Sequence, residues 1–187
     1  MSNPRIIAGK ARGIRLHPVP GNVTRPITDR VKEALFNIIG ADIIGASFLD
    51  LFGGTGSVGI EALSRGASFA RLLDNNQGAF KTIKANLIQT HLNDMAEVLL
   101  ADAFSYLRKP ADKTFDYIYV APPQYKNLWK QTLAELESNP TWLARDGWVI
   151  VQIDPKEYEK IPWKTLSEFD QRRYGSTLLL FFEQTSP

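Results

Sequence analysis

The segment from position 48 to 59 constrains the fold most, because an apolar strand there runs directly into a glycine-rich turn. The strand is predicted at 48–52 and contains one acidic residue, Asp50. A helix is predicted from Ser57 to Arg65. Between strand and helix lie three glycines, Gly53, Gly54 and Gly56. Glycine lets the backbone turn sharply and approach a ligand where a Cβ atom would collide. The turn therefore predicts a ligand site, although a tight turn alone would use the same residues.

Strands and helices alternate along most of the remaining chain. Further strands are predicted at 69–73, 97–100, 117–120, 148–153, 165–169 and 177–182. Helices are predicted from Thr28 or Asp29 to Gly40, at 77–90 and at 128–137. No helix separates the last two strands, which predicts an antiparallel hairpin at one end of the sheet. The pattern as a whole predicts a Rossmann-like α/β fold with a mostly parallel, seven-stranded sheet, whose ligand lies beyond the carboxyl ends of the strands.

The N-terminal part of the chain is basic. Residues 1–33 carry seven basic and two acidic side chains, whereas the remainder carries 15 basic and 18 acidic ones. Residues 5–16 predict two short strands around a turn at Gly9 and Lys10, with no cleanly apolar face. An exposed, basic β-hairpin is therefore expected, ended by the prolines and glycine at 18–21. Such a surface favours phosphate groups, although it could also be merely solvated.

Several classes of function are excluded by composition. The chain has no cysteine, so disulfides, thiolate metal sites and cysteine nucleophiles are ruled out. His17 and His91 lie far apart in sequence without acidic companions, so no metal site is expected. No segment approaches the roughly 20 apolar residues that a membrane span needs. With 44% hydrophobic residues the chain can bury a full core, and we expect a soluble, cytoplasmic protein.

Each of the first three strands has an acidic residue within it or shortly after it. Asp50 precedes the glycine turn, where a carboxylate favours the cationic ammonium group of a methionine moiety. Asp74 ends the second strand and suits ribose hydroxyls, or it caps the next helix. Asp102 follows the third strand and could accept a hydrogen bond from an adenine amino group, cap a short helix, or both. These residues predict S-adenosylmethionine as cofactor, with the binding set Asp50, Gly53, Gly54, Gly56, Asp74 and Asp102.

The glycine turn also fits a dinucleotide pattern. Gly54 to Gly59 matches G-x-G-x-x-G, and Asp74 lies twenty residues beyond Gly54. An NAD-dependent oxidoreductase is therefore an alternative. Asp50 counts against it, because a pyrophosphate is poorly served by a carboxylate directly before the loop.

A rigid segment follows the fourth strand. It reads Ala121-Pro122-Pro123-Gln124-Tyr125, and consecutive prolines fix the backbone so that carbonyl oxygens point outward. Carbonyl groups beside an aromatic ring suit an exocyclic amine on a stacked base. We therefore predict a catalytic set of Ala121, Pro122, Pro123 and Tyr125, with a plain rigid loop as the alternative.

Over essentially its whole length the sequence resembles the RsmD family of guanine-N2 methyltransferases acting on small-subunit (16S) ribosomal RNA. The matching stretches are 5–10, 25–37, 49–66 and 115–118. The resemblance implies a class I methyltransferase fold and methyl transfer from S-adenosylmethionine to a guanine. It implies an N-terminal hairpin extension at 1–22, followed by a methyltransferase domain at 23–187. The expected partner of a monomeric enzyme is ribosomal RNA or the assembling small subunit, bound by Arg5, Lys10, Arg12, Arg15, Arg25 and Arg30.

One departure from the family falls at the predicted catalytic segment. The family usually has an acidic residue or asparagine before Pro-Pro and an aromatic residue directly after it. Here Ala121 stands before the prolines, Gln124 follows them, and Tyr125 is displaced by one position. Ala121 has no side-chain acceptor for a hydrogen bond from the target amine. Losing one such acceptor typically costs a few kcal/mol of transition-state stabilisation. A catalytically silent RNA-binding or ribosome assembly factor is therefore a further alternative.

Overall fold

The computed structural model describes residues 3–21 and 26–185, and this part of the chain contains the seven predicted strands. The strands are β1 (Ser47–Asp50), β2 (Phe69–Asp74), β3 (Ala96–Leu100), β4 (Phe115–Val120), β5 (Leu143–Ile153), β6 (Leu166–Tyr174) and β7 (Thr177–Gln184). The helices are α1 (Asp29–Ile39), α2 (Ser57–Ser64), α3 (Gln77–Gln89), α4 (Ala103–Leu107) and α5 (Leu128–Ser138). Short 3₁₀ turns lie at Gly40–Ile43, Asn93–Met95, Pro140–Trp142 and Pro155–Glu157.

All seven strands join one sheet in the order β3-β2-β1-β4-β5-β7-β6. Strands β1 to β5 run parallel to one another, and β7 is antiparallel to both β5 and β6. The fold prediction is confirmed. The order reverses between β1 and β4, and in open sheets of this kind ligands bind beyond the strand ends at such a reversal.

The two faces of the sheet bury separate cores. Phe48 and Tyr117 point to the face covered by α1, α2 and α3, whereas Leu49 and Ile118 point to the face covered by α4 and α5. This division follows from the two-residue period of a strand. Because both faces are covered, the central strands are apolar almost throughout, and β1 is buried along its whole length.

Helix α1 begins where the sequence predicted. The Thr28 hydroxyl oxygen accepts a hydrogen bond from the Val31 N–H at 3.3 Å, so Thr28 is the N-cap. Two side chains on the helices are unusually placed. Lys32 is buried although it is charged, and Ile88 of α3 is 62% exposed although it is apolar.

The N-terminal segment returns on itself, but with less strand than predicted. One antiparallel bridge pairs Arg5 with Arg15, and the residues between 8 and 13 form turns rather than two strands. Ile6, Ala11 and Leu16 are buried in the core on the α2 side of the sheet. The expectation that the segment has no apolar face is therefore corrected. The turns shift the side-chain period, so that these three residues face inward together.

Candidate active site

The glycine turn is fixed from several directions at the carboxyl end of β1. The Gly53 N–H donates to the Leu73 carbonyl oxygen at 2.6 Å, and the Gly56 N–H donates to the Gly53 carbonyl at 2.8 Å. The Asn86 side-chain amide of α3 donates to the Thr55 carbonyl at 2.8 Å. The loop is thus held by β2 and α3 before any ligand arrives.

Gly54 leaves room for a ligand. Its φ is +58°, a left-handed conformation that favours glycine, and a Cβ atom added there would have no protein atom within 4 Å. Gly56 also has a positive φ, +82°, and is the N-cap residue of α2. At Gly53 the same Cβ would come within 2.7 Å of the Ile83 side chain and 3.1 Å of the Leu73 carbonyl. Gly54 therefore faces open space, whereas Gly53 is needed for packing.

Asp50 lies beneath the glycine turn and is only 1% exposed. Burial raises the pKa of its carboxyl group to about 7, and the nearby Asp74 carboxylate raises it as well. Hydrogen bonds from the backbone of Phe52 and Gly59 act in the opposite direction. The Phe52 N–H donates to Asp50 Oδ1 at 3.4 Å, so Asp50 contacts the backbone directly before the glycine turn.

Asp74 is tied to the same turn. Its Oδ2 accepts from the Gly54 N–H at 2.9 Å, and its Oδ1 accepts from the Asn76 N–H at 2.9 Å. The N-cap of α3 is Asn76, whose side-chain oxygen accepts from the Ala79 N–H. The helix-cap alternative for Asp74 is therefore wrong, since its neighbour performs that role.

Asp102 caps α4, because its Oδ2 accepts from the Ser105 N–H at 2.8 Å. It lies beside Asp74, since the Ala101 N–H donates to the Asp74 carbonyl at 3.0 Å. Phe52 of the glycine turn and Phe104 of α4 pack edge to face nearby, with ring centroids 6.5 Å apart. These two half-buried rings lie beside the carboxylates of Asp74 and Asp102 and form a surface on which a purine could stack.

The predicted catalytic segment leaves β4 at the same edge. Ala121 is half-buried and packs against the core on the α2 side of the sheet, Pro122 is buried and Pro123 is exposed. Tyr125 is 64% exposed, and its hydroxyl donates to Asp154 Oδ2 at 2.8 Å. Asp154 directly follows β5, the strand next to β4. The structure thus brings together the segments after β1, β2, β3, β4 and β5.

The basic residues of the N-terminal segment lie near opposite ends of α2. The Arg5 carbonyl oxygen accepts from Lys32 Nζ, which also donates to Ser57 at the start of α2. The Lys10 N–H donates to the Ser64 carbonyl at the other end of the helix, about 10 Å further along at the usual helical rise. Arg5 is therefore the nearer to the glycine turn. The described basic residues that are predicted to bind RNA all have exposed side chains: Arg5, Lys10, Arg12, Arg15 and Arg30. Arg25 lies outside the described residues.

Sequence reasoning missed two buried polar side chains that hold this region together. Glu61 is 0% exposed, and its two carboxylate oxygens accept from the Ile7 and Ala8 N–H groups at 2.9 and 3.0 Å. Asn86 is also 0% exposed and exchanges hydrogen bonds with the His17 backbone. A signal was present for Asn86, a polar residue three positions after Ile83 on the apolar side of α3.

Two further findings concern metals and membranes. Within residues 3–21 and 26–185, no three histidine, cysteine, aspartate or glutamate side chains come together in a way that could hold a metal ion. No helix in that part of the chain combines the length and apolar character required to cross a membrane.

The strand order, together with a glycine turn and acidic residues at one edge, defines the class I methyltransferase group of Rossmann-like folds. Comparison with known proteins identifies the family within this class. Residues 4–183 match the family described as Conserved hypothetical protein 95. Ribosomal RNA small subunit methyltransferase D of Escherichia coli K12 is 37% identical over 149 residues, covering 79% of this chain and 73% of that protein. The protein of the same name in Haemophilus influenzae is 33% identical over 179 residues, covering 91% of this chain and 92% of that protein.

A solved structure agrees with the sequence relatives. The yhhF protein of Escherichia coli matches with a TM-score of 0.85 and 32% identity, covering 98% of each chain. The chain belongs to the ribosomal RNA small subunit methyltransferase D (RsmD) family. This membership decides against the NAD-dependent oxidoreductase.

Proposed function

We propose that this protein transfers a methyl group from S-adenosylmethionine to the exocyclic N2 amine of a guanine in small-subunit ribosomal RNA. The observation that carries the proposal is the open space above Gly54, at the edge where Asp74, Asp102 and the Pro122-Pro123 segment meet. The names of the family relatives support the choice of ribosomal RNA as substrate.

The residues at this edge fit the cofactor. Gly54 and Gly56 would receive the methionine end, with Asp50 supplying negative charge from beneath the loop. Asp74 and Asp102 would hold the ribose and the adenine, since carboxylate oxygens have more acceptor sites than the backbone bonds described above occupy. When bound, S-adenosylmethionine supplies a methyl group on a positively charged sulfur, already activated for direct displacement.

The protein's own contribution is positioning. The backbone carbonyls of Ala121 and Pro122 accept hydrogen bonds from the target amine, and the exposed ring of Tyr125 covers the base. Holding two reactants in register removes an entropic barrier that can amount to about 7–11 kcal/mol. The amine sheds its proton after methyl transfer, so an aspartate at position 121 would help alignment without being required as a base.

The substrate would reach this edge along the basic surface. Residues 1–22 form an RNA-binding extension in this proposal, and residues 23–187 form the methyltransferase domain. Arg5, Arg15 and Arg30 contact phosphate nearer the target base, and Lys10 and Arg12 contact it further away, with Arg25 as an additional contact. The enzyme acts as a monomer in the cytoplasm on ribosomal RNA or on the assembling small subunit.

The test measures methyl incorporation by the purified protein. Small subunits and free 16S ribosomal RNA, taken from cells that lack the corresponding methylation, are incubated with radiolabelled S-adenosylmethionine. We expect label in one guanine, located by mass spectrometry of RNA fragments. The competing function, a silent assembly factor, is favoured by Ala121 alone. It predicts binding to RNA and to S-adenosylhomocysteine without any incorporation.

A further inference from the structure

Tyr125 is held at two points by the segment that follows β5. Its N–H donates to Glu157 Oε1 at 2.8 Å, and its hydroxyl donates to Asp154 Oδ2 at 2.8 Å. One contact fixes the backbone and the other fixes the far end of the ring. Both acceptors are carboxylates, whose hydrogen bonds are stronger than those of neutral acceptors.

The two carboxylates are themselves fixed. Asp154 Oδ1 accepts from the Lys156 N–H at 2.9 Å, and the Asp154 N–H donates to Glu157 Oε2 at 3.3 Å. Together they form a capping box around the turn at 155–157, which begins with a proline. Each acid therefore uses one oxygen to order its own loop and the other to hold Tyr125.

The backbone of Tyr125 requires such support. Its φ is +61°, in the left-handed region where a residue with a Cβ atom is disfavoured. Asn127, two residues later, has a φ of +54°. Conformations of this kind persist where the surroundings fix them, and they cluster at functional sites.

The arrangement leaves the ring available. Tyr125 is 64% exposed although both ends of the residue are bonded. Val120 at the end of β4 pairs with Val151 of β5, so the segments that follow these strands leave the sheet side by side. The extra residue Gln124 displaces the aromatic ring from its usual place after Pro-Pro, and the bonds from the neighbouring segment determine where that ring now lies.

We infer that Asp154 and Glu157 are positioning residues that hold Tyr125 as one wall of the target-base site. The inference rests on the proposed methyl transfer. Without these bonds the ring would rotate freely on an exposed loop, and a stacked base would be held in fewer productive orientations.

Single-turnover and steady-state methylation of small subunits test the inference. Tyr125→Phe keeps the ring and removes the hydroxyl, and Asp154→Ala removes its acceptor. We expect each variant to lower kcat roughly tenfold, the usual scale for one charge-assisted hydrogen bond. The double variant should be no slower than either single one, because both changes remove the same contact. Asp154→Asn, which keeps an acceptor oxygen, should restore most of the turnover.

A matched pair of controls comes from the same region. Tyr158 donates its hydroxyl to Glu168 at 3.3 Å, so Tyr158→Phe and Glu168→Ala cut an equivalent contact that does not involve the catalytic segment. These controls should keep wild-type kcat, and all variants should keep wild-type affinity for S-adenosylhomocysteine.

The possible failures are distinguishable. If the wild type methylates RNA but Tyr125→Phe and Asp154→Ala are equally active, or if their losses multiply in the double variant, the positioning role is wrong and the methyltransferase stands. If the wild type incorporates no label, the proposed function fails, and the positioning role fails with it.

Discussion

Lys32 Nζ and Glu61 Oε2 lie 3.4 Å apart, and 1% and 0% of the two side chains are exposed. The pair joins α1 to α2 beneath the N-terminal segment. Lys32 Nζ also donates to Ser57 Oγ at 2.8 Å, directly after the glycine turn. The buried pair therefore connects the basic segment with the helix that starts at the candidate cofactor loop.

Replacing Glu61 by alanine should destabilise the protein strongly. Glu61 forms an ion pair with Lys32 and accepts hydrogen bonds from Arg65 and from two backbone N–H groups, so its removal leaves a buried lysine without its counter-charge. Breaking one partner of a buried pair costs about 3–5 kcal/mol. Urea unfolding should show this decrease in the free energy of unfolding. Lys81→Met, at an exposed position on α3, is the control and should change it by less than about 0.5 kcal/mol. An equal effect of both variants would contradict the role of Glu61.

Gly54→Ala should weaken cofactor binding more than it weakens the fold. Gly45, which lies before β1 at the end opposite the glycine turn, offers a control, because its φ is +78° and a Cβ atom there also meets no atom within 4 Å. Each alanine should cost about 1–2 kcal/mol of stability for its left-handed backbone. Only Gly54→Ala should reduce affinity for S-adenosylhomocysteine, by roughly tenfold or 1.4 kcal/mol in a binding isotherm. Equal affinities in the two variants would place the ligand elsewhere.

The stability of the ligand-free protein should depend on pH through Asp50. Burial raises the pKa of this carboxyl group from 3.8 to about 7, so the folded state binds a proton more tightly than the unfolded state does. Stability is therefore lost as the pH rises from about 4 to about 7, by on the order of 4 kcal/mol. Asp50→Asn, which does not titrate, should remove this component from unfolding curves measured across that range. Parallel curves for the two proteins would show that Asp50 titrates normally.

The same group should make cofactor binding depend on pH. A cationic ammonium group favours the ionised form of Asp50, so affinity for S-adenosylhomocysteine should increase up to pH 7 and level off above it. Binding below pH 7 should release a proton, which titration calorimetry detects in buffers of different ionisation enthalpy. Asp50→Asn should bind more weakly above pH 7 and without proton release. A wild-type affinity that is constant between pH 5 and 8 would refute this coupling.

Replacing Lys10, Arg12 and Arg15 together by alanine should reduce affinity for RNA. With fewer phosphate contacts, binding releases fewer counterions. The slope of log affinity against log salt should therefore flatten by about 0.7 for each lost contact to single-stranded RNA. Cofactor affinity should not change, because the three exposed side chains are not among the residues proposed to hold the cofactor. A variant with alanine at the exposed Lys109 and Arg145 should keep the wild-type slope. If the triple variant keeps it as well, the basic segment is only a solvated surface.

Ala121→Asp should raise turnover or leave it similar. The substitution restores the acidic residue that the family usually has before Pro-Pro, at a half-buried position beside the carbonyls expected to hold the amine. Ala111→Asp, also half-buried but packed on the opposite face of the sheet, controls for a buried charge. The measurement is methyl incorporation into small subunits. Activity that appears only in Ala121→Asp would identify the natural protein as a silenced methyltransferase.

The sheet and the edge at which the site lies can be predicted from local patterns in the sequence. Alternating apolar segments and glycine turns are local patterns, and they specify strands, helices and their boundaries with little help from distant residues. The positions of Asp50, Asp74 and Asp102 follow directly, because the carboxyl ends of parallel strands meet at one edge. The family resemblance added the reaction and the substrate to this framework.

The contacts that these residues make depend on the folded chain and could not be predicted from local patterns. Lys32 and Glu61 are 29 positions apart, as are Tyr125 and Asp154, and neither pair belongs to a local pattern. The sequence predicts Asp50 as a carboxylate that favours the methionine ammonium group, and only the folded chain shows that it is buried and that its pKa is raised. Burial and long-range hydrogen bonds depend on which surfaces come together in the folded chain. A periodic pattern in the sequence reports which side of an element is apolar, but not which polar groups meet across two elements.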